Sequence, residues 1–298
     1  MADHFNKSIS RQVIILAIPI IFSNLSRVVM GLADMAMVSR LGANALAATG
    51  MGSLLLWVFM SMGIGLRTAV QTITSRRLGQ KRYSECGNAL HNGIILASFI
   101  TIPFTIIGLV YVKEIANFFL EDADVILYCT DYLYIGYFSL IFVVISFAFQ
   151  GFYAGVEHMR VHMIVTFTSN ILNIYLNAGF IYGSNHITQY FTDMGLPCMA
   201  YLWNWAPFPA LAVKGAAVAT LLSSIFMAFH YTYFLYKISM NKYSTYNINI
   251  RFSNLLQQIK LGFPISISEV VLMAGFSVFY KIIGNIGTVE LATSHVIL

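Results

Sequence analysis

The chain has 298 residues, of which 58% are hydrophobic and only 10% charged, with a net charge of +5. A soluble domain carries about a quarter of its residues as charges, so this composition excludes an ordinary soluble enzyme and predicts an all-α membrane protein embedded in a lipid bilayer. The positive excess does not point to nucleic acid, because Lys and Arg stand at the ends of apolar segments and form no patch interleaved with aromatics.

A membrane-spanning helix takes ~20 mostly apolar residues. Such runs are predicted at about 12–38, 45–75, 85–112, 126–153, 161–183, 213–236 and 261–284, and an eighth begins near Glu290. The first run is too long for the core of a signal peptide and is read as a retained helix. The eighth reaches Leu298 after a rise of only ~13 Å, less than half the thickness of a hydrocarbon core. The reading is therefore the N-terminal portion of a longer protein. A six-helix lobe occupies 1–236, a cytoplasmic inter-lobe linker 237–260, and the start of a second lobe, its first one to two helices, 261–298.

Orientation follows from the basic residues. With the N-terminus inside, Lys7, Arg11, Arg76, Arg77, Lys81, Arg82, Arg160, Lys237, Lys242, Arg251 and Lys260 are cytoplasmic, and only Arg40, Lys113 and Lys214 are external. That asymmetry obeys the positive-inside rule and predicts a cytoplasmic N-terminus. The long segment 184–212, with Trp203, Trp205 and Phe208 around two prolines, is expected to lie along the outer interface, where amphipathic rings collect. Cys86, Cys129 and Cys198 form an odd set without CxxC spacing and predict neither a disulfide framework nor a structural zinc site.

An internal repeat supports the two-lobe reading. A shift of 245 residues aligns Ser8, Gln12, Leu16, Pro19, Ser23, Gly42, Leu46 and Ala47 with Ser253, Gln257, Leu261, Pro264, Ser268, Gly287, Leu291 and Ala292 without a gap. Six helices between the copies start both on the same side of the membrane, the parallel-repeat arrangement of several transporter classes.

Charges at bilayer depth cost ~2.5–3.5 kcal/mol on insertion scales, so each one needs a reason. Ser23, Asn24, Arg27, Gly31 and Asp34 fall on one stripe of the first helix, which should face the bundle. Thr166, Asn170, Asn173 and Asn177 share one face of the fifth, where amides bind a cation or bond neighbouring helices. Arg67, toward the cytoplasmic end of the second helix, is read as snorkelling to the interface. Arg27 lies deeper and either pairs with an acid or defines an anion site. Lys281 is read as an interface anchor. His91, His158, His162 and His230 lack HExxH spacing and are read as interfacial residues, and no P-loop is present for ATP-driven pumping.

Several segments resemble the multidrug and toxic compound extrusion (MATE) family, bacterial NorM-like exporters in particular. They are Leu32-Ala33-Asp34-Met35-Ala36-Met37-Val38-Ser39-Arg40-Leu41-Gly42, Arg77-Leu78-Gly79-Gln80-Lys81-Arg82, Phe149-Gln150-Gly151-Phe152 with Arg160, Asn173-Ile174-Tyr175-Leu176-Asn177, and Gly215-Ala216-Ala217-Val218-Ala219-Thr220. The resemblance implies two six-helix lobes around a central cavity in the inner membrane. It implies export of small cationic or amphipathic substrates driven by a Na+ or H+ gradient, with no cofactor beyond that coupling ion. It also implies a cation site at Asp34, Asn173, Asn177, Ala216 and Thr220, with Na+ held by Asp34, Asn173, Asn177 and Thr220. Some members carry an acid where this chain has Asn177. Many bacterial relatives have a functional acid in the seventh helix at the position of Leu272, where this chain offers Glu269 one turn earlier as a possible second-lobe acid.

Two other readings stand beside the exporter. A flippase for lipid-linked precursors would favour cavity charges such as Arg27 and Arg67, and a membrane-embedded transferase would need a cluster of acids or histidines at one interface, which the sequence lacks.

Overall fold

In a computed structural model, the protein is described over residues 2–245, 250 and 252–297, without the side chains of residues 2–13, 15, 16, 238–241 and 297. Lys7, Arg11, Arg251, linker residues 246–249 and Leu298 thus lie wholly or in their side chains outside the described residues. The helices are α1 (Ala2–Ser39), α2 (Ala43–Gly79), α3 (Tyr83–Val110), α4 (Val112–Phe119), α5 (Ala123–Gly155), α6 (Met159–Tyr182), α7 (Ser184–Asp193), α8 (Pro197–Asn204), α9 (Val213–Phe234), α10 (Met240–Tyr243), α11 (Phe252–Gly284) and α12 (Thr288–Ile297). Seven of them, α1, α2, α3, α5, α6, α9 and α11, are long and apolar enough to cross a membrane. All seven coincide with the expected spans.

The bundle is built around α2 and α5, which pack on one another most extensively and are the most buried spans. Lipid supplies no hydrophobic drive between helices, so close approach through small residues does the work. Gly52 of α2 lies against Tyr132, Gly63 against Phe147, and Gly136 of α5 against Leu56. The partners advance together along both helices, so α2 and α5 run parallel. Around this pair stand α3 against α5, α9 against α5 and α6, and α1 against α6; α11 lies on the other flank of α2. The α2–α11 contact is tightest where Gly65 meets Gly262 and Ser266.

The loops resolve into short helices with specific seats. Asp122 caps α5, its Oδ1 accepting from the backbone N–H of Asp124 at 2.9 Å and of Val125 at 3.2 Å. The 184–212 segment folds as the α7–α8 pair. Trp203 is buried within it, stacked on Tyr175 at 5.0 Å and on Phe191 at 5.7 Å, with its indole N–H donating to the Tyr175 carbonyl at 3.0 Å. The interfacial expectation is therefore corrected for Trp203, whose polar edge is satisfied by α6; Trp205 and Tyr201 remain exposed.

The segment expected as a linker carries helical structure of its own. A π-helical turn (Leu235–Ser239) and α10 continue α9, Tyr243 is buried beside Phe152, and α11 begins at Phe252 instead of near 261. Tyr243 supplies the apolar contact that docks α10.

The two copies of the repeat form the same turn. Leu46 N–H donates to Gly42 O at 3.2 Å between α1 and α2, and Leu291 N–H donates to Gly287 O at 3.1 Å between α11 and α12. The aligned Pro19 and Pro264 both lie inside their helices. At Gly42 the backbone adopts φ 107°, a region L side chains rarely enter.

Candidate functional site

The contact of α1 with α6 and of α6 with α9 assembles a polar chain across three helices. Asn173 and Asn177 stand one turn apart on the inward face of α6, both 1% exposed. The amide of Asn177 donates to Asp34 Oδ1 on α1 and, at 3.1 Å, to Asn173 Oδ1. Asn173 in turn donates to Ser223 Oγ on α9 at 3.1 Å, and the Ser223 hydroxyl donates to the Thr220 carbonyl at 3.0 Å. The donors run both ways from Asn177, toward the carboxylate on one side and toward the α9 backbone on the other.

This pattern fixes the carboxamide of Asn177. With Asp34 ionised, the carboxylate only accepts and the amide turns both hydrogens outward, one to Asp34 and one to Asn173. Its Oδ1 is left buried without a hydrogen-bond partner. An unpartnered buried carbonyl costs about 1–3 kcal/mol. Beside the Asp34 carboxylate it supplies a second hard oxygen, the donor chemistry that suits alkali cations. The acid itself is half-buried on α1.

The expected residues separate into two groups. Asp34, Asn173 and Asn177 meet directly. Thr220 and Ala216 bond each other instead, the Thr220 hydroxyl donating to the Ala216 carbonyl at 3.0 Å, so α9 reaches the chain through Ser223. Sequence reasoning missed Ser223, although it lies on the Thr220 face one turn later. It also missed Ser26, whose Oγ accepts from Asn170 at 2.9 Å, and Tyr132 of α5, buried within electrostatic reach of Asp34.

The other predicted charges lie elsewhere. Arg27 and Arg67 line one cavity of about 480 Å³ between α1, α2, α5 and α6. Arg67 lines this cavity beside Phe147 and Gln150 of α5, in the role of cavity charge that the sequence offered alongside snorkelling. The interfacial expectation for His162 is corrected. The residue is 6% exposed, its Nδ1 shares a 2.6 Å hydrogen bond with the Tyr231 hydroxyl, and its ring lines the same cavity. Glu269 is half-buried on α11, within electrostatic reach of Arg67 and apart from the Asp34 chain. Lys281 sits with its ammonium 3.5 Å from the Phe118 ring centroid, held by the face of an aromatic on α4. A second, largely apolar cavity of about 770 Å³ is lined by Ala33 and Met37 of α1, Ala178 and Tyr182 of α6, and Tyr190 and Phe191 of α7.

Seven long apolar helices around an intramembrane acid–amide chain define the class: a multi-pass α-helical membrane protein built to hold polar groups inside the bilayer. The model of the MatE family matches residues 19–178, more than half of the chain, and the chain belongs to that family, one of transporters rather than enzymes. Among curated relatives, a probable multidrug resistance protein NorM from Synechocystis sp. is 24% identical over 295 residues, covering 97% of this chain and 58% of the relative. One of the same description from Thermotoga maritima is 23% identical over 275 residues, covering 92% and 55%. The chain thus spans little more than half the length of these relatives. Of solved structures, a multidrug resistance MATE family transporter of the MOP superfamily in an inward-facing conformation shares the fold with TM-score 0.73 at 20% identity, over 89% of this chain and 56% of that one. A MOP superfamily transporter from Pyrococcus furiosus, described as having a binding pocket of reverse polarity, aligns with TM-score 0.73 at 20% identity, over 90% of this chain and 54% of that one.

Proposed function

We propose that this chain forms the N-terminal lobe, with the start of the second, of a secondary-active exporter that moves small cationic or amphipathic solutes out of the cell, driven by a Na+ or H+ gradient. The lobes would comprise 1–236 and 261 onward, joined by a linker within 237–260, in the plasma (inner) membrane with the N-terminus cytoplasmic. Membership in a transporter family and the NorM names of its relatives support efflux as the activity. The parallel turns at Gly42 and Gly287 support the repeated lobes, because alternating access works by one repeat moving against the other.

The observation that carries the coupling assignment is the Asp34–Asn177–Asn173–Ser223 chain with its unpartnered Asn177 oxygen. Na+ would take oxygens from Asp34 and from the Asn177 and Asn173 side chains, with Thr220 and Ala216 contributing from α9. A proton at Asp34 would instead be held by the same amides. The apolar cavity between α1, α6 and α7 gives an amphipathic solute a place in the same lobe as the ion.

The test is Asp34→Asn in the full transporter, which removes a charge and little volume. Ion-driven efflux from everted vesicles should fall to background while folded protein yield stays within about twofold of wild type. Retention of full coupled efflux by Asp34→Asn would sink the assignment. A parallel loss of yield and transport, with both restored by stabilising changes elsewhere, would reassign Asp34 as a structural bond.

A further inference from the structure

The cavity between α1, α2, α5 and α6 is furnished for a negative charge. Arg27 enters from α1, Arg67 from α2 and His162 from α6, among Asn24, Gln71 and Gln150. Among the described residues neither guanidinium has an ion-pair partner, and the ion pairs present, of Arg77 and Arg82 with Glu85 and of Lys214 with Asp131, lie elsewhere. No hydrogen bond from either guanidinium is formed among the described residues. The two cations repel one another; Glu269 attracts Arg67 from α11 without pairing with it. One acid facing two guanidiniums leaves positive charge uncompensated.

A second observation points the same way. Gln150 is 7% exposed and lines this cavity, yet its Oε1 has no hydrogen-bond partner. Buried polar groups are nearly always paired, and because an anionic oxygen only accepts, Gln150 can serve it only by donating from its amide N–H2 group. Trp57, Ile64 and Phe147 supply apolar wall on the remaining sides. A space of about 480 Å³ is the size of small-molecule sites.

From these features we propose that the Arg27–Arg67 cavity binds the acidic group, carboxylate or phosphate, of an amphipathic molecule. The guanidinium fork matches both groups bidentately. Gln150 completes the polar end, and the alkyl or ring portion packs on Trp57 and Phe147. This rests on the reading of the chain as a transport lobe and adds a site for the acidic group of its amphipathic cargo, apart from the cation chain at Asp34.

Trp57 provides the readout. In neutral detergent, with Trp203→Phe and Trp205→Phe removing the other two indoles, octyl phosphate and octanoate should change Trp57 emission saturably. Octylammonium and octanol, with the same tail, should neither bind nor compete. Arg27→Gln and Arg67→Gln should each weaken binding about tenfold or more, as expected for losing a charge-assisted hydrogen bond. If either variant fails to fold, Arg27→Lys and Arg67→Lys keep the charge without the fork and should weaken octanoate binding measurably. Nanodiscs distinguish the source of the acid: displacement of octyl phosphate by phosphatidylglycerol but not phosphatidylcholine would identify a lipid headgroup, and no displacement by either a free amphipathic acid. Equal binding of octylammonium and octanoate, or octanoate binding indifferent to all four Arg substitutions, would overturn the proposal. The measurement needs no gradient, so its failure leaves ion-coupled export standing, and failure of export leaves the binding result standing.

Discussion

At the scale of single residues, the polar chain is graded by what each link touches. Asn177 contacts the acid and also carries the free oxygen, whereas Ser223 accepts from the amide of Asn173 and donates to the α9 backbone, away from the acid. Interhelical hydrogen bonds in membranes average ~0.6 kcal/mol and reach ~1.7 kcal/mol. Ser223→Ala should therefore cost at most about 1 kcal/mol of stability and change ion dependence by less than about threefold. Asn177→Ala removes a donor to Asp34 and a cation ligand together and should weaken the coupling ion at least tenfold. Efflux rates against ion concentration separate the two. Comparable damage from both substitutions would mean the chain acts as one structural unit and not as a graded site.

Among elements, the α2–α11 contact is an exacting one, because backbone meets backbone. A side chain at Gly65 would run into Ser266 Oγ and the Gly262 carbonyl, while one at Gly275, farther along α11, has nothing within 4 Å. Overpacking a tight contact costs about 1–3 kcal/mol, and replacing an unhindered helical glycine by alanine gains about 0.5–1 kcal/mol. Gly65→Val should lower the melting temperature of the solubilised chain, and Gly275→Ala should hold or raise it. Equal melting of the two variants would show that α11 does not lean on α2 in solution. The α7–α8 pair obeys similar logic at lower density: Trp203 fills the space against Tyr175 and Phe191, and Trp205 and Tyr201 cover the outside.

On the scale of the whole molecule, the charges sort by end. Arg77 and Arg82 meet Glu85, and Lys242 lies over Tyr83, at the end where α2 closes. Arg40 and Lys214 belong to the other end, over Tyr190 and against Asp131. The proposed orientation puts the first group in the cytoplasm. Native Cys198 is exposed on α8 while Cys86 and Cys129 are buried, so a membrane-impermeant maleimide added to intact cells should label the unmodified protein. In a Cys198→Ser background, Lys242→Cys should label only after lysis. Labelling of Lys242→Cys in intact cells would invert the topology.

The number of spans, their approximate ends and the stripes on the first and fifth helices were readable from residue order, because apolar runs and helical periodicity are local properties of a chain in lipid. So was the meeting of Asp34 with Asn173 and Asn177, through the resemblance of their segments. The seat of Trp203, the early start of α11 and the burial of His162 were not. Each depends on which helix faces which, decided by the packing of glycines such as Gly63 against Phe147 and Gly65 against Gly262, far apart in sequence. Ser223 is the plainest case, its role set by a partner fifty residues away on α6: periodicity gives a residue its face on a helix, but only tertiary packing supplies the neighbour that face meets.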